Sequence, residues 1–424
     1  MTQIAWVALI LFLVVYAIIV SEKIHRTKIA LVGAVAVLLL QIMPQAEAVH
    51  SIDFNTLGLL IGMMMIVAIS RTTGIFQYLA IKAAKKVKGD PLRIMVVMFI
   101  LTAVLSALLD NVTTVLLLTS IIFAITDVLK INPMPFLIVE ILASNIGGTA
   151  TLIGDPPNIM IGSATGLGFN DFLINLAPVA TLVAIVTIAI LYFIYRKDMV
   201  VAPENQQKIM NMDEKAFLTD PVLLRKSIFV LVATIAGFVL HQIFHYESAT
   251  VALAGGAVLL LISGAEPEEV FHEVEWNTIF FFIGLFVLVG GLEVTGVITL
   301  VAKWALEITQ GNLMMMNFLI LWLSAFASAF IDNIPFVATM IPLIKSMAEL
   351  GGVDVTSLWW TLALGACLGG NGTLIGASAN LVVMSIAEAH GTPIRFKDYM
   401  KIGLPMMVVS IVIANIYIYF MYLR

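Results

Sequence analysis

With 424 residues, 61% of them apolar and 12% charged, the chain lies far from a soluble domain, which runs about 45–50% apolar and about 25% charged. That balance excludes an ordinary soluble fold, and apolar runs of about seventeen or more residues separated by short polar stretches read as membrane-spanning helices. The formal net charge of −5 says little about partners, because placement around the spans matters more than the total.

No basic cluster suggests nucleic acid. One cysteine, Cys367, cannot form an internal disulfide, and without a G-x-x-x-x-G-K-[ST] loop any ATP drive would need a separate ATPase subunit. The first apolar run, Ile4 to Val20, has no Lys or Arg before it and no small-residue cleavage pattern after it. It reads as a retained span rather than a signal peptide.

Spans are predicted near residues 4–20, 28–43 and 55–72. A basic amphipathic helix near 76–88, with Lys82, Lys85, Lys86 and Lys88, suits an anionic membrane surface. Two helical arms near 92–109 and 112–127 follow, joined only by Asp110 and Asn111, and the second arm is short for a span. A span near 135–162 is interrupted by Gly147, Gly148, Gly154, Pro156 and Pro157, which cannot all sit in a continuous helix, and a last span runs near 173–195.

The chain repeats itself at a constant shift of 222 residues. His50, Asn55, Thr56, Ile61, Gly62, Thr73 and Gly74 fall on His272, Asn277, Thr278, Ile283, Gly284, Thr295 and Gly296, with Asp53 on Glu275. Ser106, Ala107, Asp110, Asn111 and Val115 fall on Ser328, Ala329, Asp332, Asn333 and Val337, and Gly147 to Asn158 falls on Gly369 to Asn380. The expected organisation is a first repeat over 1–196, a cytoplasmic linker over 197–222 and a second repeat over 223–424.

Each half counts an odd number of crossings, so the second should be inserted upside down. The expected fold class is an all-α polytopic membrane protein: an inverted-topology repeat with about ten full spans, two re-entrant hairpins and two broken helices. Placing both termini outside leaves only Lys303, Lys345 and Arg424 on the outer side, in keeping with the positive-inside rule.

Discontinuous helices in inverted repeats commonly build transport sites, because interrupted backbone must be satisfied by protein, water or an ion. Asp110 with Asn111, and Asp332 with Asn333, offer hard oxygen ligands at hairpin tips, although each pair also suits a surface turn. Around the two breaks, Gly148, Thr149, Thr151, Asp155 and Asn158 face Gly370, Asn371, Thr373 and Asn380, with Ser106 and Ser328 in the preceding arms. Kinking or close helix packing is the plainer reading of those glycines. Asp155 meets Ala377, so the two pseudo-sites should differ chemically.

Glu140 has Leu362 as its counterpart and is a candidate proton carrier; a capped or water-lining role is the alternative. His241 and His245 read as interfacial residues rather than a metal or pH site, and the methionine runs 63–65 and 314–316 read as packing. From 94 to 195 the only Lys or Arg is Lys130, and from 304 to 394 the only one is Lys345, so no fixed cation is expected beside the site.

The segment Ser144 to Asn158, preceded by Leu109 to Thr114, resembles the ion transporter superfamily, in its arsenite permease, pink-eyed-dilution protein and D-type sodium–proton antiporter branch, whose domain is citrate-transporter-like. The resemblance covers essentially the whole chain. It implies a homodimer whose protomers have a scaffold and an elevator-like transport part, with the tips Asp110, Asn111, Asp332 and Asn333 and the loops 147–158 and 369–380 enclosing the site. Carboxylate-transporting relatives carry a Ser-Asn-Thr type motif at the tips where this chain has Asp-Asn.

The resulting expectation is a secondary active transporter of the plasma (inner) membrane, coupled to H⁺ or Na⁺. It would move a small inorganic ion, by cation–proton antiport or arsenite/antimonite-type efflux. Na⁺-coupled carboxylate transport and a passive channel are the alternatives. No enzyme activity and no cofactor are expected beyond Na⁺ bound at the hairpin tips, and the expected partners are the lipid bilayer, the ion and a second copy of the chain.

Overall fold

The computed structural model describes residues 1–21, 23–197 and 199–424, and every regular element among them is helical. The first half comprises α1 (Gln3–Ser21), α2 (Arg26–Leu39), α3 (Gln45–His50), α4 (Phe54–Arg71), α5 (Ile75–Lys86), α6 (Pro91–Leu108), α7 (Asn111–Leu129), α8 (Met134–Thr149), α9 (Pro156–Thr165) and α10 (Phe169–Tyr195). A linker holds α11 (Pro203–Met210) and a 3₁₀ turn (Glu214–Phe217). The second half comprises α12 (Pro221–Leu240), α13 (Ser248–Ser263), α14 (Pro267–His272), α15 (Trp276–Val294), α16 (Val297–Thr309), α17 (Leu313–Phe330), α18 (Asn333–Gly351), α19 (Thr356–Gly369), α20 (Ser378–Ala389) and α21 (Phe396–Ile418).

The 222-residue shift carries α3, α6 and α7 onto α14, α17 and α18 residue for residue. Side-chain acceptors at the helix starts explain why the boundaries coincide. Asp53, Asp110 and Asp332 cap α4, α7 and α18 by accepting backbone N–H groups from the first turn.

Ten of the described helices are long and apolar enough to cross a membrane: α1, α4, α6, α7, α10, α12, α15, α17, α18 and α21 with its extension to Leu423. This set is not the predicted one, because it includes all four hairpin arms. The second arm, α7, has 19 residues rather than about fifteen. It continues through the buried Thr126 and Leu129 and stops where Lys130 turns left-handed at φ 56°. Conversely α2 is shorter than the predicted span, because the chain turns at Gln41, φ 54°.

The halves interlock by exchange, with α4 of one packed on α13 of the other and α15 packed on α2. Glycine permits both contacts. A Cβ on Gly62 would lie 2.4 Å from the carbonyl carbon of Ala252, and a Cβ on Gly284 would lie 2.6 Å from that of Ala30. These are equivalent positions in the repeat, so one backbone-to-backbone crossing occurs twice.

The linker docks on α5 and α7. Lys85 forms an ion pair with Glu214 and donates to the Met212 carbonyl at 2.7 Å, and that hydrogen-bonded ammonium holds the Glu214 carboxyl below its usual range.

Candidate functional site

Both hairpin tips end inside the protein. Asp110 and Asp332 are 6% and 9% exposed, Asn111 and Asn333 2% each, and the tips lie against the glycine-rich breaks rather than at the surface.

Each break is fastened to its hairpin by the same set of bonds. Ser106 Oγ donates to Ser144 O and Ser328 Oγ to Ala366 O, both at 2.6 Å. Thr151 Oγ1 donates to Ala107 O at 2.5 Å, and Thr373 Oγ1 likewise to Ala329 O. The four hydroxyls therefore spend their protons on backbone carbonyls.

Within the breaks, Gly148 and Gly154 meet backbone to backbone, as do Gly370 and Gly376. Asn158 Nδ2 donates to the carbonyls of Gly148, Thr149 and Thr151 at 3.3, 3.2 and 2.8 Å. Asn380 Nδ2 repeats this with Gly370 and Thr373 at 2.7 and 2.9 Å. These amides replace the intrahelical bonds that the interruption removes.

The two pseudo-equivalent centres differ in composition. Around Asn111, the partners are amides: Asn145 donates to Asn371 Oδ1 and Asn380 Oδ1 at 3.0 Å each, and Asn111 Nδ2 lies 3.4 Å from Asn145 Oδ1. Around Asn333, the partner is an acid, with Asn333 Nδ2 3.3 Å from both oxygens of Asp155; Cys367, the repeat mate of Asn145, donates instead to Asn158 Oδ1 at 3.5 Å. Asp155 is fully buried.

Between the tips lies a cavity of about 10 Å³, lined by Asp110, Asn111, Asp155, Asn333, Glu275, Thr278, Ser378 and apolar neighbours. That is room for one water or one bare ion. It shares Val112, Glu275 and Ser378 with a wider vestibule of about 380 Å³, which also takes in His25, Arg26 and Asp332 and opens beside the α1–α2 turn.

Of the predicted residues, Asp110, Asn111, Asp155 and Asn333 meet in the cavity and Asp332 borders the vestibule. Thr149, Asn158, Asn371 and Asn380 form the layer behind, where Thr149 Oγ1 donates to Asn145 O at 2.7 Å. Glu140 stands apart, 1% exposed, with Oε2 3.0 Å from Thr119 Oγ1 on α7. His241 pairs through Nδ1 with the Tyr246 carbonyl at 2.8 Å.

Sequence reasoning missed Arg26, Asn145, Glu275, Thr278, Cys367 and Ser378. Glu275 and Thr278 were visible as repeat mates of Asp53 and Thr56, and Asn145 belongs to the break segment.

The expectation that no fixed cation stands beside the site is corrected. Arg26, at the start of α2, forms an ion pair with Asp332. The stretches 94–195 and 304–394 hold the hairpins and breaks, whereas this arginine arrives from a helix more than 300 positions away in sequence from Asp332.

The sequence profile of the family described as citrate transporter matches residues 16–365. The chain belongs to that family. An uncharacterized transporter of Mycobacterium tuberculosis is 44% identical over 98% of each chain, and a 46 kDa membrane protein of Mycobacterium leprae is 42% identical over 98% of this chain and 99% of its own. The human P protein is 34% identical over 95% of this chain and 58% of its own length. Among solved structures, the YdaH transporter of Alcanivorax borkumensis matches with a TM-score of 0.59 over 98% of both chains at 11% identity, a likeness of fold. With its apolar helices, this family membership makes the protein an integral membrane transporter.

Proposed function

We propose that this family member is a secondary active transporter of a small inorganic cation, Na⁺ or H⁺, working by elevator-like alternating access in the plasma membrane. The observation that carries the reading is the narrow cavity of about 10 Å³ with Asp110, Asp155 and Glu275 in its wall. It suits a single dehydrated cation, whose oxygen ligands these residues supply, and is far too small for a tricarboxylate.

In this reading the two halves are inverted repeats and α2, α4, α13 and α15 belong to a fixed scaffold. The hairpins and broken helices carry the site, and the protein works as a homodimer.

Repeat symmetry supports a second, unseen position of the site. Asp53 at the start of α4 accepts a 2.8 Å bond from Ser163 at the far end of α9. Its mate Glu275 instead lines the cavity, while Ser385, the mate of Ser163, lines the vestibule. Exchanging the halves would bring Glu275 to Ser385 and carry the tips toward Asp53, opening the site to the opposite side.

Cation-coupled transport of an organic anion is favoured by the family's description as citrate transporter and by the guanidinium of Arg26 at a vestibule large enough for a carboxylate. Its charge, however, is already matched by Asp332.

The deciding experiment is flux into proteoliposomes under opposed pH gradients, with Na⁺, Li⁺, arsenite, antimonite and citrate as cargo. Cation flux that depends on Asp110 and Asp155 is expected. Citrate uptake without a cation requirement would overturn the reading.

A further inference from the structure

The two tip acids, equivalent by repeat, are not equally held. Asp332 Oδ2 receives Arg26 Nη1 and, at 2.8 Å, the hydroxyl of Ser378, which Arg26 Nη1 also approaches at 2.8 Å. The position equivalent to Arg26 in the second half is Ser248, and no ion pair among the described residues involves Asp110.

Arg26 Nη1 thus occupies the point between a carboxylate and a hydroxyl oxygen where a cation stripped of water would be coordinated. The guanidinium also lies over the Phe281 ring of α15, its carbon 5.0 Å from the ring centroid, and the Arg26 side chain is 25% exposed to the vestibule. It therefore has a resting place on α2 and α15 and open space into which to withdraw.

We propose that Arg26 is a tethered competitor for the cation at Asp332: it fills the carboxylate when cargo is absent, and incoming cation must displace it. This rests on the reading that Asp332 belongs to the transport site. The consequence is coupling. Arg26 is on a helix packed with α15, whereas Asp332 and Ser378 are on a hairpin tip and a broken helix, so the ion pair ties the proposed scaffold to the proposed moving part. Cation binding would release that tie, and only on the side where α2 begins. A carboxylate matched by a guanidinium cannot hold a second positive charge at the same oxygen without losing the first, so the two events exclude each other.

The test uses purified full-length protein in lipid nanodiscs. Thermal stability is titrated with Na⁺ at constant ionic strength, choline replacing it, and in parallel with H⁺, because His25, Glu275, Asp110 and Asp155 also face the vestibule or the cavity. Arg26→Ala should tighten the cation affinity by about tenfold, the equivalent of about 1.4 kcal/mol for a partly exposed charge pair. Added guanidinium should reverse the gain competitively, and Arg26→Lys should behave much like the parent. Should Arg26→Ala fail to accumulate, Arg26→Gln reports the same gain.

An affinity that falls or stays unchanged on removing Arg26, or one indifferent to guanidinium, overturns the proposal. If Asp332→Asn leaves cation binding intact, the proposal fails as well, because the cation then does not use Asp332; if neither cation binds the parent, the transport-site reading fails instead. Each failure is therefore recognisable.

Discussion

Replacing Asp155 with Asn removes one ionisable group and almost no volume from the wall of the narrow cavity. The carboxylate is fully buried, and its two oxygens share one amide, Asn333 Nδ2, at 3.3 Å. A monovalent cation in the adjoining cavity would stand about 4 Å from it, where two unit charges attract by about 4 kcal/mol at an effective dielectric constant of about 20. The Asn oxygen remains as a neutral ligand, so about half of that should be lost. A loss of about 2 kcal/mol weakens cation affinity by roughly thirtyfold.

The empty variant should melt no lower than the parent, because one member of an acidic group that repels its neighbours has gone. Na⁺ titration of thermal stability separates the two effects, and isotope flux in proteoliposomes should lose apparent affinity by the same factor. A well-folded Asp155→Asn protein that binds within twofold of the parent would refute the assignment of the cavity to a cation. Ala377→Asp, which places an acid at the equivalent position beside Asn111, should create a second cation dependence in the same assay.

Gly284→Ala and Gly62→Ala should each cost about 1–3 kcal/mol in thermal or denaturant unfolding, because the new methyl meets backbone that cannot rotate away; unchanged stability would mean that the crossing is looser than described. Ser163→Ala removes a 2.8 Å bond to Asp53 and a 3.1 Å bond from Asn55. It should shift the ratio of the two site positions by about five- to thirtyfold, the equivalent of about 1–2 kcal/mol, read as two distances between spin labels on α4 and α9; an unmoved ratio would reject the exchange of positions. Glu214→Gln should loosen the linker at neutral pH, seen as faster amide exchange over Pro203–Met210. Because the carboxyl is held below its usual range, the Lys85 tie is present above about pH 4.3, the ordinary glutamate value, and is lost as pH falls through the lowered one. Exchange in the unsubstituted protein should therefore rise only in acid.

Much of the architecture was legible in the residues themselves. Hydropathy gave the membrane class, the constant shift gave the duplicated halves, and the glycines and prolines between Gly147 and Asn158 marked the break that separates α8 from α9. These are local or self-referential signals: a helix of apolar residues, a proline without an N–H and a repeated motif keep their meaning wherever the chain goes. The acids at 110 and 332 were legible as candidates for the same reason, since a polar pair between two apolar arms is visible in sequence.

What the sequence left open was which neighbours these groups meet. Nothing local distinguishes Asp110 from Asp332, yet one is tied to Arg26 and the other is not, because α2 crosses α15 at Gly284 and delivers its first turn to the second tip. Glu275 joins the cavity while its mate Asp53 binds Ser163, although the two begin equivalent helices. A duplicated sequence is symmetric at the level of each half, but in the folded chain the equivalent residues of the two halves meet different neighbours. That inequality belongs to long-range packing, and it decides where the charges lie.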